Sequence, residues 1–243
     1  AAYRSGAGYV RIYTDEHNQS ALFQSIPEAV VSCIHSNWKR ELENLLAWAD
    51  VVAVGPGIGM EAQKLDILNY VLEHADIPVI LDADALNLVA RHNLSLDGYS
   101  MPVAVTPHLG EMARLCRSTI SDISEDLIAS AEIFAKEQHV ICVLKNAGTV
   151  VSNGSESYIN TSGNSGCAAM AKGGSGDVLT GVFAGLTAQG MTLFEAAKLA
   201  VFLHGCAGDA AAQKYGKRSM TANDLVEGLI RVLADADDKN KCK

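Results

Sequence analysis

A glycine-rich segment, Gly173-Gly174-Ser175-Gly176-Asp177, contains the residue types that bind an anion and act on it. Glycines permit positive φ angles and let a ligand approach the backbone closely. The apolar spacing that follows predicts a helix over Asp177–Gln189, so the segment would lie at the positive end of a helix dipole. Because backbone N–H groups at a helix start bind anions, we interpret Gly174, Ser175 and Gly176 as an anion hole.

Asp177 is interpreted as the base beside this anion hole. An aspartate with an ordinary pKa of about 3.9 is ionised at neutral pH. Its carboxylate could accept an alcohol proton while the alcohol oxygen attacks phosphorus, a reaction in which positioning and electrostatics supply most of the catalysis. The alternative is a tight turn whose aspartate only caps a helix, and the glycine segment alone leaves both interpretations open.

Four more turns each follow a short apolar run of the chain. The runs are Val51–Val54, Pro78–Leu81, Pro102–Val105 and Val140–Leu144. The turns after them start at Gly55, Asp82, Thr106 and Lys145. Ligands of open α/β sheets bind beyond the C-terminal ends of the strands, so we expect the four turns to meet at one edge of a sheet.

Some of these turns carry groups suited to a nucleotide and its metal. The turn Lys145-Asn146-Ala147-Gly148-Thr149 could bracket nucleotide phosphates or ribose, or be an ordinary strand–turn connection. Mg²⁺ prefers oxygen ligands and keeps its waters, so we interpret Glu111 and Asp82 as metal ligands that act through water. Both carboxylates could instead serve helix starts, where acidic residues are common. His204, in an otherwise apolar helical segment, is interpreted as a core histidine.

Hydrophobic periodicity predicts the elements that position these turns. The four apolar runs, together with Tyr9–Tyr13, are typical of strands covered on both faces. Apolar residues at helical spacing predict further helices over Glu61–His74, Asp126–Glu137, Leu193–Lys214 and from near Thr221 onward.

The alternation of strands and helices predicts the fold class. Parallel strands joined by right-handed crossovers would form a three-layer α/β/α sandwich with a mainly parallel central sheet. Thr149–Val151 and Ser157–Ile159 flank Asn153-Gly154 and predict a hairpin. With 49% hydrophobic residues and no recognisable linker, residues 1–243 are expected to form a single domain whose residues 235–243 are a flexible tail.

Charge and composition argue against several classes of protein. A net charge of −9 does not suit a nucleic-acid-binding protein, which needs a basic face. No apolar stretch reaches the roughly 18 residues of a membrane span. Six cysteines without a CxxC pair are typical of thiols in a reducing cytoplasm. The sequence also lacks zincin, nucleophile-elbow and Walker A motifs. We therefore expect a cytoplasmic protein that binds neither nucleic acid nor a membrane.

Taken in order along the chain, these segments resemble the ADP/ATP-dependent NAD(P)H-hydrate dehydratases of the ribokinase-like superfamily. The resemblance runs from Arg4 to Leu225. Its anchors are Gly55-Pro56-Gly57, Leu81–Asn87, Thr106–Glu111 and Gly173–Asp177. Each anchor is common by itself, whereas all of them in this order are specific.

The resemblance implies that the protein repairs hydrated NADH and NADPH. In that reaction ADP or ATP phosphorylates the hydroxyl on the damaged nicotinamide ring, Mg²⁺ assists, and elimination of phosphate restores the dihydropyridine. Asp177 would be the catalytic base, and Lys145 through Thr149 would bind the nucleotide together with Gly176. Members of the family are commonly homo-oligomers, and the resemblance implies the same state here.

The resemblance also implies a substrate site and two departures from the family pattern. Gly57, His108, Asn164 and Asp177 match contacts to the hydrated dinucleotide. The chain starts after a strand and small-residue turn that family members usually carry, so we expect either that the sequence is trimmed or that part of the pocket is absent. Cys167-Ala168-Ala169 resembles an insertion, which would move Asn164 away from the substrate.

Two other functions stay open at this point. A small-molecule kinase of the same superfamily would share the anion hole and Asp177 but release a stable phosphate ester. A nucleotide-binding protein without turnover would use the same turns. Thr106-Pro107-His108 favours the dehydratase over the kinase.

Overall fold

A central sheet positions the predicted turns. The computed structural model describes residues 1–163 and 167–240. The strands are β1 (Arg11–Thr14), β2 (Val30–Cys33), β3 (Val52–Val54), β4 (Val79–Leu81), β5 (Val103–Val105), β6 (Ile141–Leu144), β7 (Val150–Ser152) and β8 (Ser157–Ile159). The main sheet has the order β3-β4-β5-β6-β7-β8. Strands β3 to β6 pair in parallel and β6 to β8 pair antiparallel, which confirms the predicted parallel strands and hairpin.

Helices connect the strands and cover both faces of this sheet. They are α1 (Gln19–Ser25), α2 (Trp38–Trp48), α3 (Ala62–His74), α4 (Asp84–His92), α5 (Leu109–Leu115), α6 (Ile120–Glu125), α7 (Leu127–Gln138), α8 (Ser175–Thr187), α9 (Leu193–Tyr215) and α10 (Ala222–Asn240). Each of the five predicted helices begins within two residues of its predicted first residue. Short 3-10 turns occur at Ala2–Ser5, Glu16–Asn18 and Cys167–Met170.

Alternate residues of each strand face different helical layers. In β4, Val79 and Leu81 pack in a core that includes α3, α4 and α7, whereas Ile80 packs with α8, α9 and α10. All three side chains are fully buried, and burying each one contributes roughly 1.5–3 kcal/mol. The chain is therefore a three-layer α/β/α sandwich in a single domain, as predicted.

The Tyr9–Tyr13 run departs from its prediction. Its strand, β1, pairs in parallel with β2 in a small separate sheet, and the sequence pattern had not indicated β2. Arg11 and Val30, which are paired in register, are both exposed. The prediction of a strand covered on both faces is wrong here, because the charged Arg11 keeps one face of this sheet in water.

The last helix covers most of the segment predicted to be a tail. Helix α10 runs to Asn240, and the side chains of Asp235–Asp238 are exposed on it. Flexibility of residues 235–243 stays a prediction. Within residues 1–163 and 167–240, no helix combines the length and apolar character needed to cross a membrane.

Candidate active site

The turns after three parallel strands meet the start of α8 around one cavity of about 550 Å³. The cavity lies at the C-terminal edge of the main sheet, where ligands of open α/β sheets bind. Its lining includes Asp82, Ala83, His108, Glu111, Lys145, Asn146, Ala147, Thr149, Ser175, Gly176 and Asp177. The structure thus brings the predicted anion hole, base, nucleotide turn and metal candidates together.

The fourth turn, which follows β3, packs beside the lining rather than in it. Gly55 has a φ of 135°, and a Cβ there would lie 1.7 Å from the carbonyl oxygen of Asp82, so only glycine fits. Gly59 N–H donates to Asp84 Oδ2 at 3.0 Å. Gly57 is exposed and does not line the cavity, and its predicted contact with the substrate stays a prediction.

The turn after β4 contains backbone strain. Ala83 has a φ of 49°, a region that residues with a Cβ rarely adopt and that costs about 1–3 kcal/mol. The strained residue separates Asp82, which points into the cavity wall, from Asp84, which holds the neighbouring turn. The strained backbone of Ala83 therefore lies between two carboxylates, those of Asp82 and Asp84, that have different hydrogen-bond partners.

Helix α8 begins without a side-chain cap. Its N-cap, Gly174, has a φ of 87° and contributes no side-chain hydrogen bond. Ser175 N–H donates to Lys172 O at 3.2 Å, whereas the N–H groups of Gly176 and Asp177 have no backbone partner within the described ranges. These donors face a cavity at the positive end of a 13-residue helix, the arrangement that binds phosphate.

Lys145 supplies the positive side chain of the site. Its Nζ donates to Asp82 Oδ1 at 2.7 Å and lies 3.9 Å from Glu111 Oε2. A Cβ on Gly176 would lie only 3.3 Å from the same Nζ, which places the ammonium next to the start of α8. The cavity therefore combines a fixed cation with the N–H donors at the start of α8.

Asp82 is a buried carboxylate that is nonetheless held in its charged form. Burial by itself would raise its pKa, but the Lys145 ammonium and hydrogen bonds from Lys145, Thr180 and Thr106 outweigh burial, so the pKa is lowered. Thr180 Oγ1 donates to Asp82 Oδ2 at 2.6 Å. Sequence reasoning missed Thr180, although its spacing of three residues from Asp177 places both on one side of α8.

Asp177 lies exposed in the first turn of α8, at the wall of the cavity. Partial loss of hydration raises its pKa, the negative charge of Asp82 raises it further, and Lys145 opposes both effects. A raised pKa makes the ionised carboxylate a stronger base than a free aspartate.

His108 and Glu111 form a capping box at the start of α5. His108 Nδ1 accepts from the N–H groups of Gly110 and Glu111 at 2.9 and 3.3 Å, and Glu111 Oε2 accepts from His108 N–H at 2.8 Å. The imidazole edge still lines the cavity, so a substrate contact by His108 stays a prediction.

His204 is more than the core histidine that its apolar surroundings predict. Its Nε2 lies 2.9 Å from the carbonyl oxygen of Ser175, and the side chain lines the cavity. A carbonyl only accepts, so Nε2 carries the proton. Burial lowers the pKa of His204 to about 4, which keeps the imidazole neutral. His204 thus ties α9 to the anion hole.

The residues fit a magnesium ion only through its waters. Asp82 and Glu111 offer the oxygen ligands that Mg²⁺ prefers, but the Lys145 ammonium lies between them. In the described part of the chain, no cluster of three or more His, Cys, Asp or Glu side chains could hold a metal ion directly. The water-mediated role predicted for both residues stays a prediction.

Asn164 lies outside the described residues, so its predicted contact with the substrate stays a prediction. After it, Met170 lines the cavity and packs on α9, where a Cβ on Gly208 would lie 2.2 Å from its sulfur. Ala169 is buried, so part of the segment resembling an insertion belongs to the core. Its effect on Asn164 is likewise untested.

The fold defines a ribokinase-like α/β protein, and the predicted anion hole lies at the start of one of its helices. A ribokinase-like superfamily protein from Enterococcus faecalis has a TM-score of 0.83 and 30% identity to it, over 96% of this chain and 79% of that one. The ADP/ATP-dependent NAD(P)H-hydrate dehydratase from Bacillus subtilis, co-crystallised with ATP and Mg²⁺, has a TM-score of 0.83 and 29% identity, over 96% and 81%.

Sequence comparison gives the family. A model described as NAD(P)H-hydrate dehydratase matches residues 1–231, so the chain belongs to the NAD(P)H-hydrate dehydratase family. Its relatives include the bifunctional NAD(P)H-hydrate repair enzymes Nnr of Moorella thermoacetica and Escherichia coli, each 38% identical to it. The matches cover 98% and 99% of this chain but 46% and 45% of those proteins. The chain thus spans less than half the length of these relatives.

Proposed function

We propose that the chain catalyses the nucleotide-dependent dehydration of hydrated NADH and NADPH. The observation that carries this proposal is the position of Asp177 beside first-turn N–H groups of α8 that have no backbone partner among the described residues, opposite the Lys145 ammonium. Membership of the NAD(P)H-hydrate dehydratase family supports the choice of substrate.

The residues divide into binding and reacting groups. The terminal phosphate of ADP or ATP would lie on the N–H groups of Gly176 and Asp177, with Lys145 against its oxygens. The rest of the turn from Lys145 to Thr149 would hold the nucleotide. The hydrated nicotinamide would reach Asp177 from the mouth of the cavity, past His108.

Asp177 would act on the ring hydroxyl. As the hydroxyl oxygen forms its bond to the terminal phosphorus, Asp177 takes the hydroxyl proton and the phosphorus–oxygen bond to the leaving nucleotide breaks. Loss of the new phosphate ester together with a proton from the adjacent ring carbon then restores the ring double bond. The sum is one dehydration and one nucleotide phosphate hydrolysed.

Mg²⁺, when bound, would neutralise phosphate charge, and Asp82 and Glu111 would contact its waters. The relative from Bacillus subtilis that was co-crystallised with ATP and Mg²⁺ supports this use of a metal. We also propose that the protein acts as a homo-oligomer in the cytoplasm, as the resemblance implies.

The test is recovery of dihydropyridine absorbance when hydrated NADH is mixed with the protein and ADP or ATP. The protein should restore the absorbance and release one phosphate per dinucleotide. Asp177→Asn should lower the rate about 10²–10⁴-fold, the range for loss of a general base. Asp76→Asn, at an exposed residue before the N-terminal end of β4 and so away from the cavity, is the matched control and should react like the wild type.

Other outcomes would identify the other functions. A stable phosphate ester formed from an alcohol substrate, with no recovered absorbance, would indicate a small-molecule kinase. Nucleotide binding with phosphate release at background would indicate a binding protein without turnover.

A further inference from the structure

The carboxylate of Asp82 connects three separate elements at the base of the cavity. It follows β4, accepts a hydrogen bond from Lys145 after β6 at 2.7 Å, and accepts another from Thr180 in α8 at 2.6 Å. The side chain of Asp82 is 1% exposed and Thr180 is 3% exposed. Each carboxylate oxygen therefore has a protein partner, and neither faces open solvent.

This contact fixes the position of the Lys145 ammonium. The Lys145 side chain is 19% exposed, and its Nζ lies beside the position that a Cβ on Gly176 would occupy. An unrestrained lysine loses up to about 2 kcal/mol of side-chain entropy when a phosphate immobilises it. Here Asp82 has already immobilised the ammonium next to the N–H groups that start α8.

We propose that Asp82 and Thr180 are positioning residues, which hold the Lys145 ammonium against the transferable phosphate of the nucleotide at the start of α8. Thr180 orients the carboxylate, the carboxylate orients the lysine, and the lysine meets the phosphate together with Gly176 N–H. The inference rests on the proposed function for the identity of the ligand as a nucleotide. It gives Asp82 a role through the lysine, in addition to the contact with the waters of Mg²⁺ proposed above.

A buried ion pair that only stabilises the fold would have the same geometry, so the test must separate the two roles. A positioning role concerns the terminal phosphate, which ATP has and AMP lacks. A purely structural role would change the affinity for both nucleotides equally or change neither.

The experiment compares Thr180→Val and Thr180→Ser in the full chain by calorimetry with ATP and with AMP. Valine has the shape of threonine without the hydroxyl, whereas serine retains the donor. Because the lost hydrogen bond would leave the Asp82 carboxylate and so Lys145 less firmly oriented, Thr180→Val should weaken ATP binding about tenfold. Thr180→Val should change AMP binding by less than about twofold. Thr180→Ser should bind ATP within about twofold of the wild type.

A second variant keeps the test decisive if Thr180→Val fails to fold. Asp82→Asn keeps the side-chain shape but removes the charge that holds Lys145, and it should weaken ATP binding more than AMP binding. Equal losses for ATP and AMP, or no loss for either, would overturn the inference. Wild-type protein that binds ATP without restoring dihydropyridine absorbance would refute the proposed function and leave this comparison valid.

Discussion

Two of the helices that begin at the cavity, α5 and α8, use their first-turn N–H groups in different ways. At α5 the His108 ring accepts from two backbone N–H groups and Glu111 accepts from a third. At α8 the N-cap is Gly174, which has no side chain, and the N–H groups of Gly176 and Asp177 have no backbone partner in the described part of the chain. Both starts lie on the same cavity wall.

Two similar helix starts therefore differ in role: the start of α5 is capped by its own side chains, whereas we propose that the start of α8 binds a ligand. A glycine N-cap such as Gly174 costs only a few tenths of a kcal/mol compared with a Ser, Thr, Asp or Asn N-cap. At α5 the capping box supplies that stability. At α8 the missing cap leaves N–H donors for an anion, and we expect a ligand phosphate to complete the helix start.

The largest effect should come from covering the uncapped start. In Gly176→Val, the new side chain would lie 3.3 Å from Lys145 Nζ and cover the N–H donors. We expect kcat/KM for nucleotide to fall about 10²-fold, as when one donor to a developing anion is lost. Gly173→Val is the matched control, because a Cβ there meets no heavy atom within 4 Å. Similar losses in both variants would contradict the assignment of the anion hole.

The next prediction concerns the acid limb of the pH profile. The pKa of Asp177 is raised by partial loss of hydration and by the charge of Asp82, so the base is protonated at a higher pH than a free aspartate. Only the ionised form accepts a proton. We therefore expect kcat/KM to fall about tenfold per pH unit below a midpoint that lies above about 3.9. A midpoint at or below that value would contradict this role.

The stability of the fold must be measured over the same pH range as kcat/KM. Burial lowers the pKa of folded His204 to about 4 from 6.5, so the unfolded chain binds this proton first as the pH falls. The contribution of His204 to stability is complete above pH 6.5 and is lost as the pH falls towards 4. Circular dichroism at each pH separates this loss of fold from protonation of Asp177.

The smallest effect should come from removing the cap at α5. His108→Ala should lower the free energy of unfolding by about 1 kcal/mol, whereas His108→Asn, which retains a capping acceptor, should lower it by a few tenths. Urea denaturation measures both. Equal losses in the two variants would show that the ring stabilises α5 by packing and not as a cap.

The sequence was sufficient to predict those strands and helices that a periodic pattern of apolar residues marks. The parallel strands β4 to β6 are short buried apolar runs, and α8 and α9 have an apolar face, whereas the edge strand β3 exposes Ala53 despite its apolar sequence. The run Tyr9–Tyr13 predicted β1, but β2 was not identified, so the pairing of these two strands in a small separate sheet was missed.

The candidate site was predictable where glycines and strand ends mark it, as at Gly176 and Lys145. The hydrogen bond from Thr180 that orients Asp82 was not predictable, because the two residues are 98 positions apart in the chain. The contact of His204 was not predictable either. Its partner is the backbone carbonyl of Ser175, a group that no sequence pattern identifies. Such contacts follow from the packing of α8 and α9 against the sheet.

The most direct test of the account is a crystal structure of the protein with ATP and Mg²⁺. We predict that oxygens of the terminal phosphate lie within hydrogen-bonding distance of the N–H groups of Gly176 and Asp177, with Lys145 Nζ on the same phosphate. Phosphates bound elsewhere, with the Asp177 carboxylate turned back onto the N–H groups of its own helix, would contradict it.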